Sequence, residues 1–528
     1  MKSNMINHSF NQVPTQRLPR SVFNRPSTHK FTFDHGKLYP WFVDEVIPGD
    51  SHKLDIAAFT RLATPLFPIM DNIRLDFYGF FCPSRILWNN FEKQQGAQDD
   101  PGDSIDYNTP QVDVSTHTTE SITDYFGIPV GPSAKSNSVL VNALPYRMYN
   151  EVYNTWFRDQ NLVNSLTVEK GDGPDTIGNY SIQKVAKLHD YFTSAMTSPQ
   201  KGNAIDLPLG TTAPIYGIAQ DTQVFNTTDT TPRDLELTTS ELKASGTPSA
   251  NANLRWSTDS NEIGLVADLT NATAATINSL REAFALQRLL ERDMTGGSRY
   301  VEILKSRFGV TSPDFRLQRP EFLFHHRINL NTTPIAQQSE AGTTPQGHLA
   351  GIGVAGGNDF GFSQSFVEHG YIMLFVCARA DLTYQEGIER MWGKRTRYDM
   401  YTPELANIGE QEIYNYELFY TDESSGLTGT NNAGTFGYTP RYEEYRFKQS
   451  KIMGQFRSSA ITTFDPWHLS QEFSSLPSLN QTFIEENAPM NRIKATSTDP
   501  DYIIDTFVQL KSARPMPLFG VPGMGGKF

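Results

Sequence analysis

Residues 38–88 constrain this chain more than any other stretch. Leu38, Tyr39, Trp41, Phe42, Val43, Val46 and Ile47 crowd the approach to Pro48-Gly49. Proline presets φ and glycine tolerates positive φ, so the pair predicts a turn. Beyond it Leu54 and Ile56 alternate with Lys53 and Asp55, the period of a half-buried strand. Pro65 and Pro68 bracket a loop. Then Ile73, Leu75, Phe77 and Phe81 alternate with Arg74, Asp76, Tyr78 and Phe80, which predicts a longer strand with one apolar and one mixed face. Pro83 stops it, and Ser84 leads a short helix over 85–92. The pattern is that of a sheet with long connections, and no catalytic group is evident in it.

Strand signals recur far down the chain. Tyr371-Ile372-Met373-Leu374-Phe375-Val376-Cys377-Ala378 is apolar on both faces and predicts a strand in the middle of a packed sheet. Further strands are expected at 414–420, at 441–448 and at 502–510. Two segments carry helical spacing. In 144–162 an aromatic stripe of Tyr146, Tyr149, Tyr153, Trp156 and Phe157 is interleaved with Arg147, Asn150, Glu151 and Asn154. Such a stripe is core or subunit contact far more often than a ligand box. Ser279-Leu280-Arg281-Glu282 reads as a capping box for a helix running to Arg292, closed by Gly296-Gly297.

A chain of 528 residues is too long for one ordinary core, so several domains or one large sheet domain with insertions are expected. Residues 94–138 are a polar surface loop, and 204–275, rich in Thr, Ser, Asn and Asp, reads as an insertion. The two cysteines, Cys82 and Cys377, exclude a disulfide framework and read as buried thiols. The first ten residues lack the apolar centre of a signal peptide, and no run reaches the length of a membrane helix. The expected setting is a reducing cytosol.

The formal charge of −13 argues against a chain that binds nucleic acid over its whole surface. Its two ends differ from its body. Residues 1–33 hold Lys2, Arg17, Arg20, Arg25 and Lys30 with no acid, punctuated by Pro14, Pro19 and Pro26. The last eighteen residues hold Lys511, Arg514 and Lys527, again with no acid. Both read as extended basic segments suited to phosphate contact, with unpaired bases stacking on nearby aromatics.

Candidate catalytic features are weak. Gly351-Ile352-Gly353-Val354-Ala355-Gly356-Gly357 fits a dinucleotide fingerprint in letters, but the flanks predict no strand before it and no helix after it. It is expected to be a flexible glycine loop. His325 and His326 are adjacent, so in a strand they face opposite sides and make no metal pair. The common zinc, thiol-redox and serine-hydrolase motifs do not occur. No enzyme activity, cofactor or metal is expected.

Val43-Asp44-Glu45-Val46-Ile47-Pro48-Gly49-Asp50 and Phe80-Phe81-Cys82-Pro83-Ser84-Arg85-Ile86-Leu87-Trp88 resemble the major capsid protein of the microviruses, most closely its gokushovirus branch. Tyr191-Phe192-Thr193-Ser194-Ala195, Pro199-Gln200-Lys201-Gly202, Ser298-Arg299-Tyr300, Phe308-Gly309-Val310 and Leu317-Gln318-Arg319-Pro320-Glu321 continue the resemblance in the same order. It leaves out 204–275 and parts of 94–138. The resemblance implies a mainly β chain, an eight-stranded antiparallel jelly roll with long insertions and a few helices. It implies a homo-oligomer, a T=1 icosahedral shell around circular single-stranded DNA. Scaffolding proteins and a host receptor are the further partners it implies. The expected division is a basic interior-facing arm at 1–34, jelly-roll core at 35–203 and 276–510, a threefold surface protrusion at 204–275 and a basic tail at 511–528. Tyr146, Tyr149, Tyr153, Trp156 and Phe157 are then the expected subunit contacts. A carbohydrate-binding or carbohydrate-cleaving jelly roll is the alternative. It calls for a cleft with tryptophans and paired carboxylates, and the tryptophans here (Trp41, Trp88, Trp156, Trp256, Trp392, Trp467) are scattered.

Overall fold

The computed structural model describes residues 19–131, 133–135, 137–203, 205, 277–338 and 346–518, together with the backbone of seven short strands between 215 and 267. Eight long strands make the principal sheet: β1 (Ser21–Phe33), β2 (Tyr39–Val46), β3 (Ser51–Leu62), β4 (Ile73–Pro83), β5 (Glu321–Ala336), β6 (Leu349–Ser365), β7 (Gly370–Ala380) and β8 (Tyr502–Arg514). Their spatial order is β1-β8-β3-β6-β5-β4-β7-β2, antiparallel throughout. The pairs β1·β8, β2·β7, β3·β6 and β4·β5 nest inside one another. That nesting is a long antiparallel hairpin rolled on itself, the jelly roll.

Two half-sheets result, β1-β8-β3-β6 and β5-β4-β7-β2, continuous where Asn331–Ala336 pairs with 349–354. Between β1 and β2 the barrel is closed by side chains. Phe31 stacks on Trp41 at 6.1 Å, Phe33 meets Tyr39 at 5.9 Å, and Arg25 pairs with Asp44. Tyr125 donates its hydroxyl to the Thr32 carbonyl at 2.8 Å, which covers part of the β1 edge.

Period-2 alternation decides what is buried. Leu54, Ile56, Leu75, Phe77, Leu374, Val376, Ile504 and Val508 fill the barrel interior from both half-sheets. On the outer face of β4 and β7, Phe80, Cys82, Tyr371, Met373, Phe375 and Cys377 enter a second core with Trp88, Val112, Ile122, Tyr146, Met148 and Tyr149. Strand β7 is apolar on both faces because each face has its own core. Two long connections dominate the chain: 84–320 between β4 and β5, and 381–501 between β7 and β8. Gln200–Thr295, inside the first, forms a separate compact unit. It holds the seven short strands in three small antiparallel sheets and ends in helix α2 (Ile277–Thr295).

Several expectations need correction. The segment expected as an arm to residue 34 is strand β1 from Ser21 onward, paired along its whole length with β8. The glycine run 351–357 is strand, not loop, and the packing needs Gly351, Gly353 and Gly357 of it, as well as Gly361 beyond it. A Cβ at Gly351 would collide with the Phe67 carbonyl, and one at Gly361 with the Leu54 carbonyl. The helix expected over 144–162 is α1 (Leu144–Val152) followed by a π turn, Tyr153–Phe157. Helix α2 starts before Ser279, so that residue is not its cap. The strand expected at 414–420 ends at Tyr414, and 441–448 contains a single helical turn, Glu443–Tyr445. Among the described residues no helix is long and apolar enough to cross a membrane.

Candidate nucleic-acid interface and assembly surfaces

Arg20, Arg25, Lys30 and Arg514 do not stand free. Arg25 grips Asp44 with both guanidinium nitrogens, at 3.0 and 2.5 Å, and donates to Ser512 Oγ. Arg514 reaches Asp50 Oδ2 at 3.2 Å and donates to the Glu45 carbonyl at 2.7 Å. Arg20 donates to the Gly49 carbonyl and to Ser51 Oγ. Lys30 pairs with Asp505 at 2.9 Å. As free cationic arms these assignments are corrected: pairing of β1 with β8 places the side chains on a sheet, where Asp44, Asp50 and Asp505 meet them. Lys511 is exposed on β8. Lys2, Arg17 and Lys527 lie outside the described residues.

The same corner holds Asp50, His52 and Ser512 in sequence of contact. His52 Nε2 lies 3.2 Å from Asp50 Oδ2, and its Nδ1 lies 2.8 Å from Ser512 Oγ. The residue types are those of a serine-hydrolase triad. All three are buried, with 0, 1 and 0% exposure, and Arg25 donates to the same hydroxyl. No substrate reaches Ser512. The cluster instead ties the β2–β3 turn, through Ile47 N donating to Asp50 Oδ2, to the end of β8. Burial holds the His52 pKa below its usual value, against the opposing pull of Asp50 and Asp44.

The expected subunit contacts Tyr146, Tyr149 and Tyr153 are buried inside their own chain. Tyr149 donates to the Leu38 carbonyl at 2.9 Å and accepts from Gln183 N at 2.8 Å. Tyr146 donates to Thr123 Oγ1, and Tyr153 to the Lys184 carbonyl. Trp156 is half-buried, donates to the Pro320 carbonyl and lies under Arg319. Phe157 packs edge-on against Tyr78 and Phe80. The stripe therefore covers β4 and β7 of its own barrel, with Tyr146, Tyr149 and Tyr153 enclosed and Trp156 and Phe157 partly exposed. Behind it Arg147 and Asp175 form a fully buried pair at 2.6 Å, to which Tyr180 donates as well.

Sequence reasoning missed the cluster around Asp76, whose partners are hundreds of residues away. This fully buried carboxylate accepts from Arg327 Nε at 2.8 Å, His325 Nε2 at 3.0 Å and Arg379 Nη1 at 3.0 Å. Burial alone would raise its pKa; hydrogen bonds from Arg327 and His325 and the charges of Arg379 and Arg327 hold it below the ordinary carboxylate range. His325 stacks on Tyr78 and His326 on Phe360, on opposite faces of β5.

Exposed apolar surface lies elsewhere. In the β7–β8 connection Trp392 is 69%, Tyr398 63%, Tyr401 54% and Tyr445 55% exposed, with Met391 and Met400 beside them in the chain. Trp41 and Trp88 are buried, so the tryptophan-lined cleft of a carbohydrate site does not involve them. Among the described residues no three His, Cys, Asp or Glu side chains are grouped to hold a metal ion.

A jelly roll carrying two insertions far larger than its own connecting turns has the build of a viral coat subunit. The sequence comparisons agree. The family described as capsid protein (F protein) matches residues 11–524, so the chain belongs to that family. It is 45% identical to capsid protein VP1 of Bdellovibrio phage phiMH2K, over 99% of this chain and 98% of that protein. It is 35% identical to capsid protein VP1 of Chlamydia phage 1, with 98% of each covered, and 32% identical to that of Spiroplasma virus 4, with 99% and 98% covered. All three come from microviruses. The chain is accordingly a structural capsid protein and a component of the virion, and it assembles into a multi-copy shell.

Proposed function

We propose that this chain tiles a T=1 icosahedral shell around a circular single-stranded DNA genome and has no catalytic role. The observation that carries the reading is the exposed aromatic surface of the β7–β8 connection, Trp392, Tyr398, Tyr401 and Tyr445. A soluble monomer rarely leaves so many large rings open, whereas a coat subunit repeats such a contact around every symmetry axis. Contacts of this kind bury on the order of 2,000–5,000 Å² per obligate interface. The Gln200–Thr295 unit is a self-contained module inserted between barrel strands, which suits a surface protrusion that meets the host. Its placement at threefold axes and the use of scaffolding proteins complete the proposal.

The test is electron microscopy of the purified protein beside a Trp392→Ser/Tyr398→Ser variant, with circular dichroism to confirm folding. Wild type should form closed particles and the folded variant should remain as subunits or small oligomers. Normal particles from the variant would remove this surface from the assembly.

A further inference from the structure

The two half-sheets are treated differently by the rest of the chain. The outer faces of β4 and β7 are covered by the second core. Among the described residues the outer face of β1-β8-β3-β6 is bare: Phe59 is 43%, Phe507 46% and Ile503 49% exposed, and Lys53, Arg61 and Lys511 are exposed as well. The cross-strand register arranges these side chains in rows. Asn24, Lys511 and Lys53 share one row; Thr28, Phe507 and Ala57 the next but one; Lys30, Asp505, Phe59 and Gly356 the row after that. Phe59 and Phe507 are thus diagonal neighbours on adjacent strands.

Between the two rings lies an open trough of about 620 Å³. It is lined by the small residues Thr28, Ala57, Ala58, Gly356 and Gly357, and by Asn358 and Asp505, whose carboxylate is paired with Lys30. The Arg61 guanidinium sits 5.0 Å over the Phe59 ring. At the far end of the same face Lys53 and Lys511 stand directly opposite each other in register. Like charges so placed repel across a sheet unless an anion lies between them. Asp55 reaches only Lys53, at 3.5 Å.

We propose that this bare face is a stacking platform for single-stranded nucleic acid. Phe59 and Phe507 receive unpaired bases over the trough, and the Lys53–Lys511 pair holds a backbone phosphate about four residues, roughly 13 Å, along the strand from Phe507. A duplex hides its base faces in its own stack and is not accepted. A second copy of this chain would have to set a carboxylate between the opposed lysines to avoid burying them unpaired, whereas a nucleic-acid backbone brings an anion at every residue. The platform rests on the reading of the chain as an envelope for single-stranded DNA, and it replaces the paired arginines of β1 as the place where that DNA is met.

The experiment uses full-length protein, a fluorescent oligothymidylate probe and anisotropy over a range of salt. Phe59→Thr/Phe507→Thr keeps β-forming residues at two partly exposed positions, so the fold should survive, as circular dichroism would confirm. Each lost stack should weaken binding by about fivefold to a hundredfold, with the salt dependence unchanged. Lys53→Ala/Lys511→Ala should instead flatten the salt slope by roughly 0.7 per lost phosphate contact. Unchanged affinity in the phenylalanine variant would overturn the platform. So would normal DNA binding combined with loss of particles, which would make the trough a contact between copies. Either failure leaves the coat reading intact if wild type still forms particles; absence of particles from wild type would strike that reading instead.

Discussion

Replacing Asp76 by asparagine should cost about 3 kcal/mol of subunit stability at neutral pH. The carboxylate is fully buried and faces Arg379, Arg327 and His325. Asparagine keeps the shape but leaves these donors facing an uncharged group. Breaking a buried ion pair from one side costs roughly 3–5 kcal/mol. The lower end applies here, because Arg327 and His325 are 40% and 34% exposed and can turn to water, where a surface pair is worth only about 0–1 kcal/mol. Arg379, 12% exposed, cannot. Urea unfolding of the unassembled subunit is the assay, since assembly would add stability by mass action. The pH dependence provides a second reading. The folded-state pKa of Asp76 is depressed, so its contribution is complete above the unfolded value of about 3.9 and is lost as pH falls through the folded value. The gap between wild type and variant should hold from pH 7 to about 5 and close below about 4. A gap under about 1 kcal/mol at pH 7, or one equally wide at pH 3, would refute the reasoning.

Three more outcomes follow from the packing. His52 is buried with a depressed pKa, so its contribution is complete above about 6.5 and fades as pH falls towards the folded value; the protection of the Ile47 amide, hydrogen exchange corrected for its intrinsic pH dependence, should fall there, and His52→Gln should abolish that pH step. Gly361→Ala should cost at least about 1–3 kcal/mol because the new methyl meets the Leu54 carbonyl, while Gly356→Ala, whose Cβ would be 3.8 Å from Phe59, should unfold within about 0.5 kcal/mol of wild type. Burial pushes the Cys377 thiol up to about 12 and the Cys82 thiol well above its usual value, so neither should react with a thiol reagent until the subunit unfolds; rapid labelling of native protein would contradict their burial.

Strands β3, β4, β7 and β8 were legible because alternation of apolar and polar side chains is a direct trace of a sheet with distinct faces. Strand β6 was not, since glycines carry no side-chain period; their absence of Cβ serves the close approach of Phe67 and Leu54. Strand β1 was hidden by its one proline and its cations, and only the long-range pairing with β8 shows that Pro26 sits on an edge strand, where it is tolerated. The aromatic stripe of α1 was visible as an amphipathic face, but the same pattern serves a neighbour or its own barrel. The doubly apolar β7 held the missing clue, because its outer face needed a cover from somewhere in the chain. Nothing local marks Asp76 or the Lys53–Lys511 pair: each is assembled by strand register between residues far apart in sequence.

The most direct measurement is sedimentation and cryo-electron microscopy of the purified full-length protein. Closed particles of identical subunits, with Trp392 and Tyr398 packed against a neighbouring copy and α1 enclosed within its own subunit, are the expected result. A monodisperse monomer whose Trp392 surface stays solvated under every assembly condition would contradict the coat-subunit reading.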